Sequence, residues 1–272
     1  MKYDFAPLKG RSNANIFFDY QNKLVKKSVQ IENFIRLQNQ VEKQNEFLNF
    51  NIKNVKTPKV LKVFKNSFEM EFINGKNFIQ FAEDSNSQFI NLHIENILNY
   101  LHIIKEKREK SEISFNKSVE RKLISLNTQK KHREIFLYIT NLIEKNKLNL
   151  DSTYCHGDLS LSNIIFKDKE IFLIDFLDPF FNSYYFDIAK IRQDVFYNWL
   201  FRVNDYSSIK SEIVSKKINE SISTEFKKEI SSMEFKLIEL MNFLRIEPYT
   251  KKKSEKQFLS KIIYKIFNKI SR

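Results

Sequence analysis

Residues 156–175 contain three polar side chains, Asp158, Asn163 and Asp175, of the types that phosphoryl transfer to a hydroxyl group requires. In that reaction a carboxylate orients the attacking hydroxyl, and oxygen ligands hold Mg²⁺ across a triphosphate. An Asp and an Asn five residues apart on a tight loop can face one cavity, and a β-hairpin after Asn163 can return Asp175 beside them. The spacing therefore predicts a metal-assisted phosphotransfer site.

The same residue types have an ordinary structural explanation, because Asp, Asn, Gly and Ser favour turns. One Asp alone would fit that explanation, but four specified residues around a hairpin, counting His156, favour the chemical one. Cys155, the single cysteine, is interpreted as a small buried residue, since nothing nearby marks it as an activated nucleophile.

Hydrophobic patterning predicts the elements that position these residues. Apolar runs predict strands at 16–20, 24–29, 60–64 and 68–73, and helical spacing predicts a helix between the second and third of them. The Asn74-Gly75 dipeptide interrupts the pattern and is the predicted boundary between a lobe of residues 1–75 and a lobe of residues 76–272.

The second lobe is mainly helical by periodicity, with short apolar runs at 164–166 and 171–174 that predict the β-hairpin. The predicted fold class is α+β. A small N-terminal lobe carries an antiparallel sheet and a helix, and a larger helical lobe carries the catalytic hairpin.

Composition limits the class of protein. With 272 residues, 42% of them apolar, and 27 Phe, the chain is not wholly disordered. No apolar run approaches the roughly 20 residues of a membrane-spanning helix, and the N-terminus lacks a signal-peptide core. One cysteine fits a reducing compartment, so a cytoplasmic location is expected.

The chain carries a formal net charge of +13, from 46 Lys and Arg against 33 Asp and Glu. Such an excess favours anionic partners. Compositional drift explains it better than a binding stripe does, because the lysines are scattered. No recognition motif accompanies the charge, and no nucleic-acid partner is predicted.

The segment 156–175 resembles the aminoglycoside phosphotransferase and choline kinase superfamily, whose members have a protein-kinase-like fold. Gly157 stands where protein kinases have the Arg of their HRD loop, and Leu177 stands where they have the DFG glycine. Asp187 follows Asp175 by only twelve residues, too few for a protein-kinase activation segment. These differences favour a small-molecule kinase over a protein kinase.

The resemblance implies a role for each residue of the segment. Asp158 would be the catalytic base that orients the substrate hydroxyl, and Asn163 and Asp175 would be the Mg²⁺ ligands. His156 would brace the loop, and Asp187 would hold the loop's backbone from the following helix. The last two roles are structural.

On the N-terminal side, Lys26 or Lys27 would contact the α- and β-phosphates of ATP. Strand alternation allows only one of them to point into the cleft. Glu42 or Glu46 would pair with that lysine, and helical spacing lets both share a face, so the sequence does not choose between them. Exposed surface Glu is an equally good interpretation of each.

The phosphate loop departs from the strong pattern, because residues 10–14 contain one glycine where a Gly-x-Gly-x-x-Gly series would be expected. Gly10, Ser12 and the backbone N–H groups could still cover the phosphates. Adenine would bind the hinge backbone near Glu71 and Ile73.

The resemblance covers most of the chain, since it extends to residues 71–75 as the hinge and to residues 243–249. It implies ATP, Mg²⁺ and a hydroxylated small molecule as partners. A basic chain disfavours cationic acceptors, so a sugar or surface-glycan precursor is the predicted substrate. The alternatives are a choline- or aminoglycoside-type kinase and a catalytically inactive kinase-fold binding protein.

Apolar residues at helical spacing form a stripe near the C-terminus, with Lys261, Lys265 and Lys269 between them: Phe258, Leu259, Ile262, Ile263, Ile266, Phe267 and Ile270. A basic amphipathic helix can lie on an anionic membrane, which would place the protein at the inner membrane surface. A last helix packed in the core is the favoured alternative, because such stripes are usually core.

Overall fold

The computed structural model describes residues 5–8, 14–19, 21–126, 131–204 and 206–272. The chain divides into two compact units, the first formed by Met1–Tyr100 with Ser162–Asp178 and the second by Leu101–Leu161 with Pro179–Arg272. These units reflect packing, whereas the boundary at residue 75 was inferred from a change of pattern. That boundary stays a prediction.

The described part of the first unit contains two β-sheets. Its strands are, in chain order, β1 (Phe5–Leu8), β2 (Asn15–Asp19), β3 (Leu24–Ser28), β4 (Val55–Lys56), β5 (Val60–Val63), β6 (Ser67–Glu71), β7 (Ile164–Lys167) and β8 (Glu170–Leu173). One sheet is antiparallel with the order β1-β2-β3-β6-β5, and the other has the order β4-β8-β7, in which β4 runs parallel to β8. The predicted small antiparallel sheet is confirmed.

A polar turn fixes the register of β2 and β3. The Asp19 carboxylate accepts hydrogen bonds from the backbone N–H groups of Gln21 and Asn22, each at 3.0 Å, and Lys23 adopts a φ of 51°. The inner face of the sheet packs against helix α1 (Phe34–Leu48), as predicted. Their shared core consists of Phe18, Val25, Leu37, Val41, Phe68 and Met70.

The first unit also contains helix α2 (Phe78–Asp84) and most of helix α3 (Ser87–Lys105). Between β6 and α2 the chain passes close to the β7–β8 hairpin. A Cβ on Gly75 would lie 2.5 Å from Ile165 Cγ2 and 2.9 Å from the Phe166 carbonyl oxygen, so glycine is required there. Next to it, the Lys76 N–H donates to the same carbonyl at 2.8 Å.

The second unit is helical in its described residues. Its helices are α4 (Phe115–Ser125), α5 (Arg133–Lys145), α6 (Tyr184–Val195), α7 (Trp199–Asn204), α8 (Ile209–Glu225), α9 (Lys227–Ser231), α10 (Met233–Ile246) and α11 (Lys253–Ile270). Helix α6 is buried at every residue except Tyr185, and α10 packs against both α6 and α11. The combination of a unit with two small sheets and a helical unit agrees with the predicted α+β class.

The C-terminal stripe belongs to the core of the second unit. Most of its members are buried in α11, namely Leu259, Ile262, Ile263, Ile266 and Ile270. This agrees with the packing alternative, while Phe258 and Phe267 are half-buried. None of the helices in the described residues is long and apolar enough to cross a membrane.

Candidate active site

The predicted catalytic loop of the second unit is anchored by Asp187, which lies in the first turn of α6. Its Oδ2 accepts the His156 N–H at 2.7 Å, and its Oδ1 accepts the Gly157 N–H at 2.8 Å. Gly157 has a φ of 82°, a conformation that other residues rarely adopt. The buried Asp187 thus holds two successive amides of the predicted catalytic loop.

His156 supports the same loop from within. Its ring is fully buried, and its Nδ1 accepts the backbone N–H of Asp158 at 3.2 Å. The lone pair of this Nδ1 therefore accepts a hydrogen bond from the loop backbone. This contact gives His156 a bracing position.

Asp158 projects from this loop towards two cations. Its Oδ1 lies 2.9 Å from the Lys190 Nζ and 3.4 Å from the Arg245 Nη2. Burial raises the pKa of Asp158, but the charges of Lys190 and Arg245 outweigh burial and lower that pKa well below its ordinary value. Asp158 is therefore held as a carboxylate.

Three residues of this group were not predicted from the sequence. Lys190 and Arg245 contact Asp158, and Asp194 accepts the Leu161 N–H at 2.8 Å, which extends the support of the loop. A signal was present, because the charged positions 187, 190 and 194 have the spacing of one helical face. Arg245 lies within the segment 243–249, which the resemblance included without a role.

In the first unit, Lys27 is the lysine that points into the candidate site. Its Nζ lies 2.8 Å from Asp175 Oδ1 and 2.9 Å from Gln40 Oε1. Lys26 points to the other face of β3, where its Nζ lies 3.9 Å from Glu69 and 5.0 Å from the ring centre of Phe64. Strand alternation predicted that the two would diverge, and the structure shows which one turns inward.

The expected glutamate partner of the lysine has to be corrected. Gln40 bonds Lys27, whereas Glu42 and Glu46 are exposed on α1. The reason is helical phase, since Gln40 lies beside buried Val41 on the face turned to the sheet. A step of two residues to Glu42 turns the side chain by about 200° around the helix.

The two predicted metal ligands flank the β7–β8 hairpin at its open end, Asn163 directly before β7 and Asp175 shortly after β8. The Ile174 N–H donates to the Asn163 carbonyl at 3.0 Å, so Asp175 follows directly after the residue paired with Asn163. Asp175 adopts a φ of 63°, which Asp tolerates better than most residues. An amide and a carboxylate oxygen suit Mg²⁺, which takes few protein ligands and keeps water or phosphate oxygens for the rest.

No group of three His, Cys, Asp or Glu side chains within the described residues forms a metal site of its own. Of the residues expected to bind the nucleotide, Gly10 and Ser12 lie outside the described residues. Glu71 ends β6 with its N–H donated to the Lys59 carbonyl at 3.0 Å, and half-buried Ile73 lies in the irregular segment that follows.

Comparison with solved structures shows that the chain has the protein-kinase-like fold of small-molecule kinases. The streptomycin–ATP–APH(2″)-IIa ternary complex matches with a TM-score of 0.63 and 14% identity, over 98% of this chain and 93% of that chain. An ethanolamine kinase from Plasmodium vivax matches with a TM-score of 0.57 and 16% identity, over 97% of this chain and 82% of that one.

A Haemophilus somnus protein assigned as a fructosamine-3-kinase has a TM-score of 0.61 and 13% identity, over 99% of this chain and 92% of that chain. Neither a protein-family model nor a curated protein matches the sequence. At these identities the similarity establishes the fold alone.

Proposed function

We propose that the chain is an ATP- and Mg²⁺-dependent phosphotransferase whose acceptor is a hydroxyl group of a small molecule. The observation that carries the proposal is the carboxylate of Asp158, kept ionised by Lys190 and Arg245 on a loop anchored by Asp187. The fold supports it, since solved structures with this fold include a complex with ATP and streptomycin and an ethanolamine kinase.

The low pKa of Asp158 indicates how it would act. A carboxylate of low pKa is a weak proton acceptor, so Asp158 would contribute mainly by orienting the hydroxyl through a hydrogen bond. A loose phosphoryl-transfer transition state needs little prior deprotonation of the nucleophile. The proton would pass to Asp158 as the new oxygen–phosphorus bond forms and the bond between the γ-phosphorus and the departing ADP breaks.

The first unit would supply the nucleotide contacts. Lys27 would bind the α- and β-phosphates, and Asn163 and Asp175 would hold Mg²⁺, which neutralises phosphate charge when bound. Lys27 lies 2.8 Å from Asp175, so the phosphates that it binds would lie beside that metal. Adenine would bind near Glu71 and Ile73.

Exchange of each lysine for methionine separates the two candidate phosphate contacts. Lys27→Met should lower kcat/KM for ATP by roughly 10- to 100-fold, the value of a hydrogen bond to a charged group. Lys26→Met removes the same charge from the neighbouring position and should leave kcat/KM near the wild-type value. Initial rates across an ATP titration measure both, and equal losses in the two variants would contradict the assignment of Lys27.

For the acceptor, we propose a sugar or a surface-glycan precursor, in keeping with the positive charge of the chain and with a cytoplasmic supply of ATP. An ADP-release screen with Mg²⁺ tests this against aminoglycosides and amino alcohols. Sugars or sugar derivatives should give the highest rates, and EDTA should remove them. Highest rates with aminoglycosides or ethanolamine would favour a cationic acceptor, and no release with any class would contradict phosphotransfer.

A further inference from the structure

Arg245 places an exposed cation next to the proposed catalytic carboxylate. Its Nη2 lies 3.4 Å from Asp158 Oδ1, and 33% of its side chain is exposed. Lys190 lies closer to the same oxygen, at 2.9 Å, but only 3% of its side chain is exposed. Of these two cations, Arg245 is therefore the one that an approaching solute can contact.

The other charges of the cluster do not cancel Arg245 on the exposed side. Lys190 balances the charge of Asp158. Asp187 and Asp194 are buried, and their oxygens accept backbone N–H groups of the catalytic loop. Asp158, with 24% of its side chain exposed, and Arg245 are the charged groups of this cluster that solvent reaches.

The guanidinium of Arg245 has bonding capacity beyond its contact with Asp158. Arginine carries five N–H donors, and among the described residues Asp158 is the carboxylate that it contacts. Glu247, two residues further on, bonds Lys131 and His132 instead. A guanidinium with available donors prefers a carboxylate or phosphate, which it can bind through two parallel hydrogen bonds.

An acceptor that presents its hydroxyl to Asp158 must lie beside this guanidinium. An ammonium group on the acceptor would be repelled there, and an anionic group would be attracted. We propose that Arg245 selects the acceptor: the hydroxyl compound carries a carboxylate or a phosphate that Arg245 binds while Asp158 orients the hydroxyl. This inference rests on the proposed phosphotransfer function and narrows its acceptor to compounds such as sugar acids or sugar phosphates.

Matched sugar sets test the inference by binding. For gluco, galacto and manno rings, calorimetry on the full chain would compare the parent sugar with its uronic acid, its 6-phosphate and its 2-amino derivative. An anionic member should bind about 10- to 100-fold more tightly than its parent, and Arg245→Gln should remove that difference. Whether the uronic acid or the 6-phosphate shows the preference identifies the anionic group.

The matched control is Arg202→Gln, which removes the same charge from an exposed arginine on α7 that stacks over Phe258 at 4.9 Å. It should keep the anion preference. The inference is overturned if the members of every sugar set bind equally well or if none of them binds. It is also overturned if Arg245→Gln and Arg202→Gln lose the anion preference to the same extent. Melting temperatures of both variants would verify that they are folded.

ADP release in the same samples distinguishes anion binding at Arg245 from phosphotransfer at Asp158. An anion preference that depends on Arg245, without ADP release for any acceptor, would overturn phosphotransfer but support the anion site. If Arg245→Gln lowers kcat equally for neutral and anionic acceptors at unchanged KM, Arg245 only positions Asp158 and the inference fails. The expected result is a higher KM for the anionic acceptor alone.

Discussion

Asp158→Ala is expected to lower kcat by about 10²–10⁴-fold, the usual contribution of a group that handles the transferred proton. The variant loses the carboxylate that would orient the acceptor hydroxyl, while the proposed nucleotide contacts of the first unit are unchanged. The KM for ATP should therefore change little. Initial rates of ADP release at saturating acceptor measure the effect, and a wild-type rate would contradict the role of Asp158.

The same substitution should also destabilise the fold, and the two effects must be separated. Lys190 is buried, and the loss of its carboxylate partner costs up to about 3–5 kcal/mol. Rates should accordingly be measured well below the melting temperature of each variant. The double variant Asp158→Ala with Lys190→Met removes the unpaired charge, so it should regain stability without regaining activity. Recovery of both would assign a structural role to Asp158.

The lowered pKa of Asp158 fixes the direction of the pH dependence. In the unfolded chain the group titrates near its ordinary value of 3.8, and in the folded chain it titrates lower. Its contribution to stability is thus present above pH 3.8 and is lost as the pH falls through the folded pKa. Protonation of Asp158 should therefore lower kcat/KM only in that low pH range. A change of kcat/KM near neutral pH would be due to the titration of another group.

Most of the fold could be predicted from local patterns because its elements are amphipathic and its turns are polar. The β7–β8 hairpin shows this, since its apolar runs flank Asp168, which adopts the positive φ of 50° that Asp tolerates in a turn. Strand β4 could not be found this way. It is two residues long, shows no periodicity, and exists through parallel pairing of Val55 with Ile171, far away in sequence.

The same contrast between local pattern and long-range packing applies to the residues of the candidate site. Asp158, Asn163 and Asp175 were predicted because one continuous loop and hairpin fixes their spacing. Gln40 contacts Asp175, and Arg245 contacts Asp158. In both pairs the two residues are far apart in sequence, and only the packing of the helices brings them together. The alternation of side chains along a strand likewise predicts that Lys26 and Lys27 point to opposite faces of β3. It does not predict which of these faces is turned towards the candidate site.

Asp175→Asn is expected to remove Mg²⁺-dependent turnover, by roughly 10³-fold or more, since a metal that neutralises phosphate charge is worth several kcal/mol. The amide keeps the shape of the side chain but loses the charge that attracts a hard cation. It also leaves Lys27 without the carboxylate at 2.8 Å. ADP release across a Mg²⁺ titration measures the loss, together with calorimetry of ATP binding with and without Mg²⁺.

Asp178→Asn provides the matched control, because it removes an identical charge three residues further along the same unit. Asp178 is 45% exposed and accepts hydrogen bonds from Lys43 at 3.3 Å and from Asn39 at 2.8 Å. Its loss should leave the Mg²⁺ dependence close to that of the wild type. A similar loss of Mg²⁺-dependent turnover in both variants would show that the lost negative charge or altered packing lowers the rate, without any role of Asp175 as a metal ligand. Since the variants differ only in which carboxylate is removed, a loss confined to Asp175→Asn would identify a metal ligand.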